Sequence, residues 1–235
     1  MSRLIYLNED FITSQEARSV RILSEYIYPE VSLKKTGITD TVVMFGSARI
    51  PSPEERRDDD MGKYYLEAME FAKLITEWGM NLQNRKLVIT TGGGPGIMEA
   101  GNRGAKLANG KSLALNISLP FEQAVNPYAD PELSFEFRYF FMRKLWFMHL
   151  CRGLIAFPGG FGTLDEIFEI LTLIQTGKVE RMPVVLYGTS FWKSLVHWDL
   201  LVEKGLIHKE DLEICSFADT PKAAFEIFRS QMVFP

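Results

Sequence analysis

The sequence predicts an α/β fold built on a doubly wound, mainly parallel sheet with helices on both faces. Two observations predict it. Short apolar runs recur along the chain without polar alternation, which suits strands covered on both faces. Longer stretches of helical period separate these runs, so strand and helix alternate. A segment of about 40 residues precedes the first run; its middle, within "SQEARSVRILSEYIYPEVSLKKTGI", is amphipathic and predicts a helical extension (1–40) on the outside of the sheet. The core (41–205) opens with the run "TVVMFG" (41–46). The charged "PSPEERRDDD" (51–60) reads as a solvated loop leading into "MGKYYLEAMEFAKLITEWG". There Tyr65, Met69, Ala72, Leu74 and Ile75 fall mainly on one side, and Gly79 supplies a stop.

"KLVITTGGG" (86–94) is the second run, followed by the helical "PGIMEAGNRGAKLANG", and "SLALNIS" (112–118) is the third. "PFEQAVNPYADPELS" (120–134), rich in proline and acid, has the length of a lid or binding loop. The aromatic helix "YFFMRKLWFMHLC" comes before the run "GLIAFPGG" (153–160). The helix "TLDEIFEILTLIQTGK" then leads to the run "MPVVLYG" (182–188), and "SFWKSLVHWDLLVEKG" reads as a further helix. The last stretch, 206–235, is expected to be helical and packed on the core, the whole forming a single domain.

At 235 residues and 46% hydrophobic content, the chain has ample material for a sizeable core. A net charge of -4 gives no overall basic field, which argues against a protein that grips nucleic-acid backbone but leaves room for a small anion. Cys151 and Cys215 are too few for a disulfide framework and lack the paired spacing of a zinc site, so both are expected reduced and buried, with no metal. No apolar run approaches the roughly 18 residues of a membrane helix, and "MSRLIYLNEDF" has no apolar leader core; no membrane association and a cytoplasmic location are expected. Internal repeats and low-complexity tracts are absent.

Three of the apolar runs end in small residues: Gly46 and Ser47, then Gly92, Gly93 and Gly94, then Gly159, Gly160 and Gly162. One such turn needs no ligand. Three at the carboxyl edge of an open sheet, where ligands of such folds bind, point to one. In the last, Gly162, Thr163 and the amides after them fall in the first turn of "TLDEIFEIL", where N–H groups are unpaired and the helix dipole is positive. That arrangement is a phosphate seat, with the Thr163 hydroxyl as an added donor and the bare Gly159 and Gly160 letting an oxygen approach the main chain. No lysine followed by Ser or Thr comes directly after the last glycine, so this is not a Walker loop, and "GGGPGIMEAG" breaks the dinucleotide fingerprint. A mononucleotide fits better than NAD or ATP.

Asp165, Glu166 and Glu169 occupy the first turns of the same helix, where negative charge gains from the dipole. Glu166, four residues beyond Gly162, projects over the same ledge and is placed to face a ribose. Upstream, Arg138, Arg143 and Lys144 lie on the aromatic helix; arginine offers a rigid fork to sugar hydroxyls, phosphate or carboxylate. His149 reads as a packed side chain, and His197 and His208 have no partner pattern.

"PGGFGTLDE" (158–166) resembles the P-G-G-x-G-T-x-x-E signature of the LONELY GUY (LOG) family, and "MRK" (142–144) resembles its second motif. The likeness extends through "FGSAR" (45–49), "TGGGPGIMEAGNRGA" (91–105), "LTLIQTGK" (171–178) and "MPVVLYG", covering about 40–205. The resemblance implies a Rossmann-like fold and hydrolysis of the N-glycosidic bond of a nucleoside 5'-monophosphate, of AMP or cytokinin riboside type, without a cofactor. By motif position it implies Arg143 and Glu166 as the catalytic pair. Gly159, Gly160, Gly162 and Thr163, with Gly46 and Ser47, would hold phosphate, and Met142, Lys144, Gly93, Gly94 and Glu99 would contact substrate. A homodimer or higher homo-oligomer is also implied. The extra terminal segments, about 40 and 30 residues, depart from compact members and bear on the choice of base. Two other readings stay open: a non-catalytic nucleotide sensor or carrier on the same fold, and lysine decarboxylation, for which no pyridoxal-lysine context is visible.

Overall fold

The computed structural model describes residues 4–55, 60–120 and 124–234. After a 3-10 turn at Ile5–Leu7, helices α1 (Glu9–Thr13) and α2 (Arg18–Thr36) lead into β1 (Asp40–Phe45). The chain continues through α3 (Gly62–Gly79), β2 (Leu87–Thr91), α4 (Ile97–Leu107) and β3 (Ser112–Ile117) to β4 (Ser134–Phe137). Next come α5 (Phe140–His149), β5 (Cys151–Ala156), α6 (Phe161–Gln175) and β6 (Val184–Tyr187). Helices α7 (Thr189–Leu195) and α8 (Trp198–Glu203), a 3-10 segment (Lys209–Ile214), β7 (Cys215–Ala218) and α9 (Pro221–Gln231) complete it.

Among the described residues, seven strands form one sheet in the order β4-β3-β2-β1-β5-β6-β7, and every pairing is parallel. The strands show why their sequences lack polar alternation. Val43 and Phe45 of β1 pack on one side, with Trp146, Phe147 and Ile170, whereas Val42 and Met44 pack on the other, with Phe71, Ile75 and Phe228. Successive side chains point to opposite faces, and both faces are covered. Helices α2, α5, α6 and α7 contribute to the first core and α3, α4 and α9 to the second. The doubly wound architecture with helices on both faces is thus the one the sequence predicts.

Two strands depart from expectation. β4 lies at the end of the 120–134 connection, and β7 lies in the segment expected to be wholly helical, where it extends the sheet beyond β6. Both are four-residue edge strands, too short to leave a pattern. The stretch after β6 also breaks: Val196 and His197 interrupt it, and the His197 ring nitrogen accepts the Leu200 N–H (3.1 Å) to cap α8. Cys151 is buried, but Cys215, on the edge strand, is only partly so.

The amino-terminal α2 fixes the helix that follows β4. Glu25 accepts the backbone N–H groups of Arg138 (2.8 Å) and Tyr139 (3.3 Å), capping α5, and the Glu25 carbonyl accepts the Trp146 indole N–H (3.0 Å). In the loop 51–60, Glu54 pairs with Arg103 at 2.9 Å, while residues 56–59 lie outside the described residues. In the 120–134 connection, of which residues 121–123 lie outside, Asn126 is buried against the turn after β2. Its backbone N–H donates to the Gly93 carbonyl (2.8 Å), and its side-chain amide donates to the carbonyls of Gly93 and Gly94 (3.1 Å each). No described helix is long and apolar enough to cross a membrane.

Candidate active site

The chain runs outward from β1 through β2 and β3 to β4, then crosses back to β5 and runs the other way. The carboxyl ends of β1 and β5 therefore flank the point where strand order reverses, and a crevice is left there. A cleft of about 260 Å3 occupies that position. Its walls are Phe45, Gly46, Ser47, Ala48 and Arg49 after β1, Gly92 and Met98 after β2, Arg143 and Phe147 of α5, and Gly160, Phe161, Gly162, Thr163 and Glu166 at the start of α6.

The three turns are interlocked. The Ser47 N–H donates to the Pro158 carbonyl (3.0 Å), and the Ile97 N–H donates to the Ser47 carbonyl (3.2 Å). Gly96, the residue that starts α4, has φ +66° and lies so close to the Ser47 carbonyl that no side chain fits. A Cβ on Gly46 would lie 2.7 Å from the Ile97 side chain.

The turn after β5 separates two kinds of glycine. A side chain on Gly159 would run into that of Thr163, so Gly159 is required by packing within the turn. A Cβ on Gly160 or Gly162 would meet no other atom of the described residues within 4 Å, the chain neighbours and the helix's own backbone aside. No side chain caps α6, and its first backbone bond runs from the Leu164 N–H to the Gly160 carbonyl (3.0 Å). The N–H groups of Phe161, Gly162 and Thr163 thus stand outside the helix's own ladder at its positive end, beside the cleft. Gly160→Ala is expected to leave thermal stability unchanged while weakening anion binding severalfold, and Gly159→Ala is expected to lower the melting temperature. Melting curves with and without inorganic phosphate check both, and equal behaviour of the two variants would contradict the distinction.

Glu166 and Arg143 face each other across the cleft, with Glu166 Oε1 3.7 Å from Arg143 Nη2 and side chains only 8% and 15% exposed. That separation is an ion pair without a direct hydrogen bond. The Arg143 Nε–H is buried and makes no hydrogen bond among the described residues. The guanidinium lies over the rings of Phe140 and Phe147, 5.2 and 5.6 Å from their centroids. Burial pushes the Glu166 carboxyl up to about 7; Lys144 and Arg143 pull it down, and Glu169 and Asp165 add to the rise. Burial lowers the affinity of Arg143 for its proton, against the attraction of Glu166.

The structure brings together at the cleft Arg143, Glu166, Gly46, Ser47, Gly160, Gly162 and Thr163, but leaves other expected site residues elsewhere. Met142 is buried in the core, and Lys144 is held by Asp165 and Glu169. The carbonyls of Gly93 and Gly94 are taken by Asn126, and the Glu99 carboxylate accepts the Tyr65 hydroxyl (2.7 Å). Arg49, Met98, Phe45, Phe147 and Phe161 were not singled out from the sequence. Arg49 alone had a signal, being the cation that closes "FGSAR".

The parallel sheet, the crevice at its reversal point and the acid at a glycine-led helix start define a doubly wound α/β protein with an open helix N-terminus beside a buried carboxylate. Residues 98–228 match the family described as possible lysine decarboxylase, and the chain belongs to that family; several of its relatives carry LOG names. The chain is 39% identical over 69 residues to a bifunctional cytokinin biosynthesis protein of Fusarium pseudograminearum, covering 29% of this chain and 14% of that one. It is 38% identical over 71 residues to the cytokinin riboside 5'-monophosphate phosphoribohydrolase LOG3 of Arabidopsis thaliana (30% and 33% covered). It is 30% identical over 125 residues to a pyrimidine/purine nucleotide 5'-monophosphate nucleosidase of Escherichia coli (47% and 26%). The matches thus span a third or less of these relatives' own length. Among solved structures, a molybdenum cofactor binding protein of Rippkaea orientalis shares the fold, with a TM-score of 0.53 and 21% identity over 82% of this chain and 96% of that one. The molybdenum cofactor carrier protein of Chlamydomonas reinhardtii does so with 0.52 and 18% (82% and 96%).

Proposed function

We propose that the protein hydrolyses the N-glycosidic bond of a nucleoside 5'-monophosphate, of AMP or cytokinin riboside type, releasing free base and ribose 5-phosphate. One observation carries this reading: a partly buried arginine, whose Nε–H makes no hydrogen bond among the described residues, faces a buried glutamate 3.7 Å away at the start of α6. The phosphate sits on the amides of Phe161, Gly162 and Thr163, in the space left by Gly160 and Gly162 and near Gly46 and Ser47. Anchoring the phosphate holds the ribose against Glu166. Breaking the C1'–N bond builds positive charge on the ribose, so an ionised Glu166 is worth more in the transition state than in the ground state. Glu166 also orients the water whose oxygen joins C1' while its proton passes to the departing base. Arg143 donates to the ribose and keeps Glu166 in place.

A panel of nucleoside 5'-monophosphates, analysed by chromatography for free base and ribose 5-phosphate, tests the reading. Tight binding with no base released from any of them would favour the sensor or carrier instead. Lysine decarboxylation is the weaker alternative: among the described residues no lysine lines the cleft, and Lys144 is engaged by two carboxylates. Pyridoxal phosphate with lysine is expected to yield no cadaverine. With the Glu166 carboxyl near 7, base release is expected to rise about tenfold between about pH 6 and 8 as Glu166 ionises. A flat pH profile over that range would remove Glu166 as the ionising group. A homodimer, as the family resemblance implies, belongs to the same proposal, with sedimentation as its check, as does the cytoplasmic location expected from the sequence.

A further inference from the structure

Two consecutive residues of α5 reach the same turns of α6 for different ends. Arg143 faces Glu166, whereas the Lys144 ammonium lies 2.7 Å from Asp165 Oδ2 and 2.7 Å from Glu169 Oε2. Asp165 and Glu169, four apart, are neighbours on one helix face, and Glu166 follows Asp165 on the side turned to the cleft. The Lys144 side chain is 16% exposed and the Asp165 side chain 59%, so the cation is the more buried member and depends on its partners for compensation. Lys144 does not line the cleft.

We propose that Lys144 is a positioning residue: by clasping Asp165 and Glu169 it ties the start of α6 to α5 and keeps Glu166 ionisable and aimed at the cleft. The inference rests on the role given to Glu166 above. The charges around Glu166 make the case. Asp165 and Glu169 stand on its own helix, Arg143 and Lys144 oppose it from α5, and Arg49 borders the cleft from the turn after β1. With Lys144 neutral, two uncompensated carboxylates flank Glu166, and like charge disfavours its ionised form. Lys144 and Arg143 both lower the Glu166 carboxyl, Lys144 through its place between Asp165 and Glu169 on the same turns and Arg143 from 3.7 Å.

Lys144→Met keeps the length of the stem and removes the charge; Lys144→Arg keeps the charge; Asp165→Asn removes one flanking carboxylate. Two measurements apply to each: kcat and KM for AMP hydrolysis from about pH 5.5 to 9, and titration of the Glu166 carboxyl by 13C NMR on glutamate-labelled protein, assigned with Glu166→Gln. Lys144→Met is expected to move both the acid limb and the carboxyl titration up by about one unit, slowing turnover about tenfold below neutrality, with KM within about twofold. Lys144→Arg is expected to restore both, and Asp165→Asn to move them down. A raised KM with an unmoved limb would make Lys144 a substrate contact and overturn the proposal, as would an unmoved titration. Should Lys144→Met not fold, Lys144→Gln, which also removes the charge, takes its place with the same expected shifts. If the unaltered protein releases no base, the proposed function fails, and the carboxyl titration judges Lys144 on its own.

Discussion

Glu166→Gln is expected to keep AMP binding and to lose base release by at least about a hundredfold, the scale of a positioned acid–base group. The amide preserves the shape of a side chain that is 8% exposed but supplies no negative charge to the ribose. Binding by calorimetry together with single-turnover release separates the two effects, and near-normal turnover would remove Glu166 from its role. The same variant carries a thermodynamic signature. The Glu166 carboxyl holds its proton more tightly in the folded protein, at about 7 against an ordinary 4.5, so between those values the native state binds more protons than the unfolded one. The Glu166 contribution to stability is therefore largest at low pH and falls as pH rises through that window. Glu166→Gln is expected to flatten this part of the stability–pH curve, as read from melts across the range.

Arg143→Leu is expected to cost about a hundredfold or more in kcat/KM and to shift the acid limb upward, because Glu166 loses the cation 3.7 Å away. Arg143→Lys is expected to recover little. An ammonium supplies charge, but it lacks the planar fork and the Nε–H, which makes no hydrogen bond among the described residues. Recovery to within about threefold by lysine would show that charge alone is needed.

The central strands were legible in the sequence because burial on both faces strips them of polar residues, as Val42 to Phe45 and Val184 to Tyr187 illustrate. "SFEF" and "CSFA" were not, since four residues at a sheet edge carry neither a long apolar run nor a clear alternation. The glycine turn after β5 pointed to Gly160, Gly162 and Thr163, which line the cleft and form the proposed anion seat, but Gly159 has an internal reason invisible without the Thr163 rotamer. Lys144 and Met142 share a motif with Arg143, yet adjacent helical residues point about 100° apart, so only one of the three reaches the cleft. Glu99 and the carbonyls of Gly93 and Gly94 were committed to Tyr65 and Asn126, partners distant in sequence.

The reversal of strand order between β1 and β5 bears on how the site can be dissected. Val43 pairs with Leu154, and this seam joins two halves of the chain that share little else in the sheet. One half brings Gly46, Ser47 and Gly92; the other brings Arg143, Thr163 and Glu166. The family match begins at residue 98, after β1 and β2 have been laid down. A fragment cut to that boundary would keep the arginine and the acid but lose the strand against which β5 zips and one whole wall of the crevice, so the proposed site belongs to the junction and to neither half alone.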